Sequence, residues 1–232
     1  MTIADIQKAL MAKGFDPGVI DGVWGRRTAS AVRAFQLSRG LQVDGVVGPV
    51  TAKALFGVAP VITNPLEDVS LVWFQEAWRL RGVKERPGVE SNPAILQWAT
   101  AEGIPYAGDD IPWCGLFVAH CIGSTLTQEP LPNSPLSARA WLKFGAQCTA
   151  RAGAITVFWR GSPDGWSGHV GFYAGEDKDA YHVLGGNQSD AVNVTRVAKS
   201  RLLQFRWPGT VPLGEGGPVK VKVNGQLSTN EQ

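Results

Sequence analysis

Cys114 stands at a point of the sequence where a thiol would be chemically active. Two aspartates and a proline at 109–112 indicate a loop, and an apolar run to Val118 follows the cysteine. This order predicts a helix whose first turn contains Cys114. Backbone N–H groups at a helix N-terminus favour the thiolate, which is the nucleophilic form of cysteine. Cys114 is therefore a candidate nucleophile, and it needs a base from elsewhere in the chain.

His169 is the candidate base. It opens the run His-Val-Gly-Phe-Tyr at 169–173, whose composition predicts a strand. A thiol nucleophile needs an imidazole within hydrogen-bond reach and a third polar group that fixes the tautomer and orientation of the imidazole. His120 ends the apolar run after Cys114, and we interpret it as a structural histidine. The sequence thus offers a helix-borne thiol and a strand-borne imidazole.

The other cysteines and the acidic pair predict neither a disulfide nor a metal site. The chain has three cysteines, an odd number without CxxC spacing, which argues against a disulfide framework and a zinc site. We interpret Cys121 and Cys148 as packing residues. Asp109 and Asp110 lack the alternating spacing of a calcium loop, so we interpret them as solvated turn residues. We expect no cofactor.

Hydrophobic patterning around these residues predicts helices first and strands afterwards. Helical periodicity is present at 71–81, 93–102, 114–126 and 136–144. Strand composition is present at 154–159, 169–173, 180–184 and 191–195. Pro87 and Gly88 indicate a loop between the first two of these helices. Helices followed by short antiparallel strands are typical of an α+β fold.

Composition narrows the function classes. With 232 residues, 44% of them hydrophobic and 18% charged, the chain can form one globular domain of ordinary size and a small one. The net charge of +2 is too weak to indicate nucleic-acid binding, although it is compatible with an anionic polymer as partner. No apolar run has the length of a membrane span and no signal-peptide pattern is present. We expect a monomer that is made in the cytoplasm and does not insert into membranes.

The N-terminal part of the chain contains an internal repeat. The segment DGVWGRRTASAV at 21–32 returns 23 residues later as DGVVGPVTAKAL at 44–55. Each copy has an Asp-Gly turn, a second glycine, and a threonine, Thr28 or Thr51, that can cap the helix that follows. Together with an amphipathic segment that begins at Ile3, the repeat predicts a three-helix unit with a core of Phe35, Leu41 and Leu55. Two copies are too few for a solenoid.

These residues resemble the peptidoglycan-binding domain found on many cell-wall hydrolases, over roughly 2–57. The resemblance rests on the leading helix with Gln7, Leu10 and Gly14, on both Asp-Gly repeats, and on AVRAFQ at 31–36. It implies peptidoglycan as a partner. Most of the matched residues are turn glycines, caps and core, so they identify the fold and no ligand contact. We expect Trp24 to be packed, because large aromatic residues are mostly buried.

The remainder of the chain carries a second resemblance. WCGLFVAH at 113–120 and GHVGFYAG at 168–175 resemble the nucleophile and histidine motifs of the CHAP and NlpC-type cell-wall hydrolases, which are reduced papain-like enzymes. GGNQSDAVNV at 185–194 resembles the segment that supplies the third residue in a phage-associated branch of this group. With RWP at 206–208, the resemblance covers roughly 70–208.

The resemblance implies a role for each of these residues. Cys114 would attack the scissile amide carbonyl, His169 would take the thiol proton and later protonate the leaving amine, and Asn187 would orient His169. His182 is the rival orienting residue, because NlpC-type enzymes often have a histidine close to this position. The backbone N–H of Cys114 is the expected first oxyanion donor.

Three tryptophans lie near the predicted cleft. Trp113 and Trp166 are the expected substrate contacts, since an indole can stack on a glycan, and Trp159 is a third candidate. A structural role for two of the three is an equally good interpretation.

The two resemblances together predict a modular peptidoglycan hydrolase. We expect a binding domain at 1–57, a linker at 58–69, a cysteine hydrolase domain at 70–210, and a tail at 211–232 with a short strand. The enzyme would be an amidase or an endopeptidase that acts at the cell wall after release through a membrane pore or a secretion machine. This is compatible with a phage endolysin and with a secreted antibacterial effector. A non-catalytic wall-binding protein and a virion structural protein are the alternatives.

Overall fold

The computed structural model describes residues 1–86, 90–223 and 225–228, so the loop predicted at Pro87 and Gly88 lies outside the described residues. The helices of the described part are α1 (Ile3–Ala12), α2 (Arg26–Ser38), α3 (Pro49–Phe56), α4 (Val72–Arg79), α5 (Pro93–Ala101) and α6 (Cys114–Thr125). Its strands are β1 (Ala146–Cys148), β2 (Ile155–Trp159), β3 (Gly168–Glu176), β4 (Ala180–Gly185), β5 (Asn193–Ala198) and β6 (Leu202–Trp207). Short 3-10 helices cover Pro65–Glu67, Ala138–Lys143 and Lys199–Arg201. The helices precede the sheet, which confirms the predicted α+β class.

Helices α1, α2 and α3 enclose a small core. Ile6, Phe35 and Leu55 are buried, and Leu41 packs against them with partial exposure. Trp24 is only 2% exposed, which confirms that its indole is packed. The apolar periodicity of the first 57 residues therefore corresponds to three helices that pack around shared buried residues.

A buried glutamine connects α1 to the turn that precedes α2. The side-chain nitrogen of Gln7 lies 3.1 Å from Asp21 Oδ1, 3.1 Å from the Val23 carbonyl oxygen and 3.3 Å from Thr28 Oγ1. The side-chain oxygen of Gln7 accepts the backbone N–H of Gly22 at 2.9 Å. One amide side chain thus makes hydrogen bonds to the backbone and the side chains of the first Asp-Gly turn.

The same network is present in the second copy of the repeat. The side-chain nitrogen of Gln36 in α2 lies 2.7 Å from Asp44 Oδ1, 2.9 Å from the Val46 carbonyl oxygen and 3.1 Å from Thr51 Oγ1. Its side-chain oxygen accepts the backbone N–H of Gly45 at 2.9 Å. We call these two networks the glutamine staples. The sequence repeat is therefore a repeat of hydrogen bonding as well as of turns.

The staples correct the role that the sequence suggested for the two threonines. The residues that precede α2 and α3 at the N-cap are Gly25 and Gly48, and neither cap has a side-chain hydrogen bond. Thr28 and Thr51 lie inside the first turns, where their hydroxyls are buried against the glutamines. Both threonines therefore complete a buried network instead of capping a helix.

The strands form one antiparallel sheet in the order β1-β6-β2-β3-β4-β5. The four strands predicted from the sequence are β2 to β5, whereas β1 and β6 are additional. β1 has only three residues, and β6 carries Gln204 and Arg206 among its apolar residues, so neither has a clear strand pattern. β6 pairs with both β1 and β2, so β1 is the edge strand on that side of the sheet.

Helix α6 is the buried helix that carries Cys114. It packs against α4, α5 and the sheet; Phe117 lies between Trp98 and Phe172, with ring centroids 5.9 and 6.0 Å apart. At Gly115 an added Cβ would lie 2.2 Å from the Pro135 carbonyl oxygen, so only glycine allows this approach. The start of α6 is fixed on both sides, which fixes the position of Cys114.

The described part of the C-terminal tail does not form the predicted strand. Lys220 makes an isolated bridge with Glu176, and Leu227 makes one with Arg196. Glu129 accepts the N–H groups of Gly209 and Thr210 and holds the chain where the tail leaves β6.

Helix lengths also bear on membranes. Among the residues that the structure describes, no helix is both long enough and apolar enough to cross a bilayer.

Candidate active site

Cys114 and the strand that carries His169 lie together in the structure. Cys114 is the first residue of α6 and is 4% exposed. The backbone N–H of Val170, the residue after His169 in β3, lies near enough to its sulfur to lower the pKa of the thiol. The start of the helix and the start of the strand, far apart in sequence, therefore meet at the predicted nucleophile.

The electrostatic environment of Cys114 differs from the sequence-based expectation. Burial raises the pKa of the thiol. The N–H groups of Val170, Gly115 and Cys114 and the charge of Arg160 lower this pKa, but their combined effect is smaller. The helix terminus does favour the thiolate as expected, yet desolvation outweighs it. The thiol therefore needs a base to remove its proton.

The imidazole of His169 is held by a glutamine. His169 is fully buried, and its Nε2 lies 3.0 Å from Oε1 of Gln188. The side-chain nitrogen of Gln188 lies 3.2 Å from the Val183 carbonyl oxygen and 2.7 Å from the Asn193 carbonyl oxygen. Because carbonyl oxygens only accept hydrogen bonds, the amide must direct its nitrogen towards them and its oxygen towards His169. Nε2 of His169 then carries the proton, and Nδ1 is the basic nitrogen of the neutral ring.

Asn187, the expected orienting residue, does not occupy this position. It is 3% exposed, and within the described residues its Oδ1 has no hydrogen-bond partner. Its backbone has φ 54°, and Ser189 and Asp190 also have positive φ. This left-handed turn directs Gln188, one residue further along the chain, towards the imidazole. The side chain in contact with the imidazole thus lies one position after the residue that the resemblance implies.

Two glycines before this turn allow it to approach α6. A Cβ on Gly186 would lie 2.6 Å from Cβ of Phe117 and 2.6 Å from the Trp113 ring. A Cβ on Gly185 would lie 2.9 Å from the Gln188 side-chain oxygen and 3.1 Å from Nε2 of His169. Two glycines followed by an amide residue were therefore the sequence signal for a close approach of this turn to α6 and His169.

His182, the rival orienting residue, is engaged elsewhere. Its Nε2 lies 2.8 Å from Asp177 Oδ2. Arg196 donates to both carboxylate oxygens of Asp177, at 2.8 and 3.1 Å. These hydrogen bonds, those from Arg196 above all, hold the pKa of Asp177 well below its usual range. His182 belongs to this ion-pair cluster and not to the contacts of His169.

The three candidate tryptophans have different environments. Trp113 is fully buried, and its Nε1 donates to Glu85 at 2.5 Å, so no face of its indole is available for a sugar. This burial corrects the expectation that Trp113 contacts substrate. Trp159 is half-buried and donates to the carbonyl oxygen of Ser200. Trp166 is 89% exposed on the loop between β2 and β3.

The acidic pair before Cys114 also differs from expectation. Asp109 is buried and accepts the backbone N–H of Asn92 at 2.7 Å, whereas Asp110 is exposed. Asp109 therefore fastens the segment before α5 and is not a solvated turn residue. Among the described residues, no group of three histidines, cysteines or carboxylates is placed to hold a metal ion.

The residues interpreted as structural have packed environments. Cys121 is fully buried, which raises its pKa well above the usual value, and burial raises the pKa of Cys148 to about 11. His120 stacks on Trp98 with ring centroids 5.2 Å apart, and its Nε2 lies 3.5 Å from Glu76. None of these contacts involves His169 or Cys114.

Comparisons with known proteins concern only the N-terminal helices. Residues 2–55 match the family model of the putative peptidoglycan binding domain. Over 54 residues the chain is 37% identical to the N-acetylmuramoyl-L-alanine amidase CwlM of Mycobacterium tuberculosis (strain ATCC 25618 / H37Rv). The aligned segment makes up 23% of this chain and 13% of that protein. Over 55 residues the chain is 46% identical to a probable N-acetylmuramoyl-L-alanine amidase of Bacillus licheniformis. The aligned segment makes up 21% of this chain and 16% of that protein.

The matched regions thus span less than a fifth of either relative. No solved structure matches the chain. The matched residues 2–55 contain the three helices that the glutamine staples join, and they are a peptidoglycan-binding domain with homology to proteins named as amidases.

Proposed function

We propose that this protein is a modular cysteine peptidoglycan hydrolase, with its binding domain tethered to a papain-like catalytic unit. It would cleave an amide bond of the cell-wall peptide. One observation carries the proposal: the strand whose Val170 N–H lowers the pKa of the Cys114 thiol also bears His169, and Nε2 of His169 is held by Gln188. A nucleophile, a base and a group that fixes the base are the requirements of cysteine-dependent acyl transfer.

The proposed reaction begins with proton transfer from Cys114 to Nδ1 of His169. The sulfur attacks the amide carbonyl carbon, and the carbonyl π electrons move to the oxygen, which the backbone N–H of Cys114 stabilises. As the C–N bond breaks, the imidazolium gives its proton to the leaving amine. Water, deprotonated by His169, then hydrolyses the thioester, releases a carboxylic acid and restores the thiol. Gln188 keeps Nε2 protonated throughout and acts as a positioning residue.

The binding domain would raise the concentration of the catalytic unit at the cell wall. Peptidoglycan is an insoluble polymer, and a tethered wall-binding domain raises the local concentration of the catalytic unit without any contact in the active site. The family match at residues 2–55 and the two amidase relatives support peptidoglycan as the partner.

The test compares Cys114→Ala with wild-type protein on purified peptidoglycan. We expect wild-type protein to release new amino and carboxyl ends, identified by mass spectrometry, and Cys114→Ala to release none. Cys148→Ala is the matched control, because Cys148 is a half-buried packing residue in β1. Release of reducing sugar ends alone would rule out the cysteine mechanism, and the position of the new ends would distinguish an amidase from an endopeptidase.

A non-catalytic wall-binding protein is the second candidate. The raised pKa of Cys114 favours it, since a buried, protonated thiol is also what a packing cysteine would show. In that case Cys114→Ala and wild-type protein would bind peptidoglycan equally and neither would cleave it.

A further inference from the structure

The loop between β2 and β3 is fastened by one arginine. Arg139, in the 3-10 helix Ala138–Lys143, donates from Nε to the carbonyl oxygen of Ser167 at 2.8 Å. Its two terminal nitrogens donate to the carbonyl oxygens of Pro163 and Ser162, each at 2.9 Å. A guanidinium presents its N–H groups in a rigid planar fork, so three carbonyls bound by it are fixed relative to one another.

This loop adjoins the proposed active site at both ends. Arg160, at its start, is close enough to Cys114 for its charge to lower the pKa of the thiol. Ser167 and Gly168, at its end, lead directly into His169. The residue that the loop presents to solvent is Trp166, the one exposed residue among the nine tryptophans, all of which lie in the described part of the chain.

The exposed indole of Trp166 is suited to binding. Tryptophan combines a large apolar ring with a polar N–H and is enriched among the residues that dominate binding energy. A loop that is already ordered by Arg139 loses little conformational entropy when a ligand stacks on it, so the apolar contact is converted into affinity more fully. The apolar face of a sugar ring, with hydroxyls at its edge, suits a half-solvated indole.

We propose that Arg139 is a positioning residue that presents Trp166 as a stacking face for a sugar, so that the site selects amide substrates that carry glycan. The proposal rests on the proposed function for its substrate, but the sugar contact itself can be measured without catalysis.

The direct test labels the full chain with 5-fluorotryptophan and follows the fluorine resonances. The Trp166 resonance is the one absent from Trp166→Phe, and Trp73, which is fully buried and lies outside the binding domain, serves as an internal reference. Titration with a soluble disaccharide-peptide of the cell wall should shift the Trp166 resonance and leave that of Trp73 unchanged. In Arg139→Ala we expect the dissociation constant from this titration to rise about five- to tenfold. An unmoved Trp166 resonance, or an unchanged dissociation constant in Arg139→Ala, would overturn the proposal.

The kinetic test uses the disaccharide-peptide and the same peptide without sugar. Trp166→Ala and Arg139→Ala should lower the ratio of kcat/KM for the two substrates about tenfold through KM, whereas Arg139→Lys should lower it less. Arg81→Ala, which removes an exposed arginine stacked on Trp78, should leave the ratio unchanged. An equal loss on both substrates would indicate a merely structural role. If wild-type protein cleaves neither substrate, the proposed function fails, while the fluorine titration still decides the sugar contact.

Discussion

Gln188 presents its side-chain oxygen to Nε2 of His169 at 3.0 Å, and its nitrogen is committed to two backbone carbonyls. This relationship fixes the imidazole more completely than a single hydrogen bond would, because the amide cannot rotate without losing its own partners. It also assigns the protonated nitrogen of the neutral ring.

Gln188→Ala should lower kcat on peptidoglycan fragments about 100-fold, because the imidazole loses the group that fixes its tautomer. KM should change little, since Gln188 does not contact substrate. The measurement is steady-state kinetics with a soluble fragment. Asn187→Gly is the matched control; glycine accepts the positive φ at this position, so we expect a loss below about threefold. A larger loss in Asn187→Gly than in Gln188→Ala would restore Asn187 as the orienting residue.

Replacing His182 should affect stability and not catalysis. Because its Nε2 is bound to Asp177, His182→Gln should keep kcat within about threefold of wild type. Asp177 has a depressed pKa, so its ionised form is favoured in the folded state; this stability is present above about pH 4 and is lost as the pH falls. Asp177→Asn should therefore lower the urea midpoint at pH 7 and flatten its dependence on acid pH. A loss of kcat in His182→Gln comparable to that in Gln188→Ala would contradict the assignment.

The Cys114 thiol should be unreactive without substrate. In a chain carrying Cys121→Ala and Cys148→Ala, alkylation by iodoacetamide at pH 8 should be at least about tenfold slower than that of free cysteine, because burial raises the pKa of the thiol. Because the pKa of the thiol is raised, the rate should still be increasing with pH beyond the ordinary thiol pKa of about 8.5. Mass spectrometry of the modified peptide gives the rate. Alkylation faster than that of free cysteine would indicate a resting thiolate paired with imidazolium.

Each glutamine staple should be essential to the binding domain. Gln36→Ala removes the partner of the buried Gly45 N–H and should destabilise the domain by about 2–3 kcal/mol. We expect faster hydrogen exchange at Gly45 and weaker binding to purified peptidoglycan. Gln42→Ala is the control, because Gln42 is exposed and lies outside the staple. Unchanged exchange at Gly45 in Gln36→Ala would show that the turn does not depend on the staple.

The sequence predicted the parts of the site that depend on regular structure. Helical periodicity after Cys114 and strand composition after His169 were sufficient to place the thiol at a helix start and the imidazole at a strand start. The third group was not predictable in the same way, because it lies in a turn of residues with positive φ, where no periodicity states which side chain points inward. The neighbouring residues Asn187 and Gln188 have the same amide group, and only the structure shows that Gln188 is the one that contacts His169.

The other differences have a common physical origin. Thr28 and Asp109 belong to residue types that usually cap helices or face solvent, and both are buried by partners far along the chain, Gln7 and Asn92. Strand β6 was missed because its stability comes from two neighbours and not from its own pattern. Local residue preferences therefore predicted most helices and strands. The roles of the polar residues depended on hydrogen bonds to residues distant in the sequence.

The staples also explain where the binding domain ends. In helix α2, Thr28 is hydrogen-bonded to Gln7 of α1, and Gln36 is hydrogen-bonded to Asp44 in the next turn. Helix α2 therefore takes part in both staples. Helix α3 receives a staple at Thr51, but Pro49–Phe56 contains no glutamine to hold a further turn. The series of glutamine staples therefore ends at α3. A chain extended by another copy would need a glutamine in α3 to make the same hydrogen bonds to the next turn.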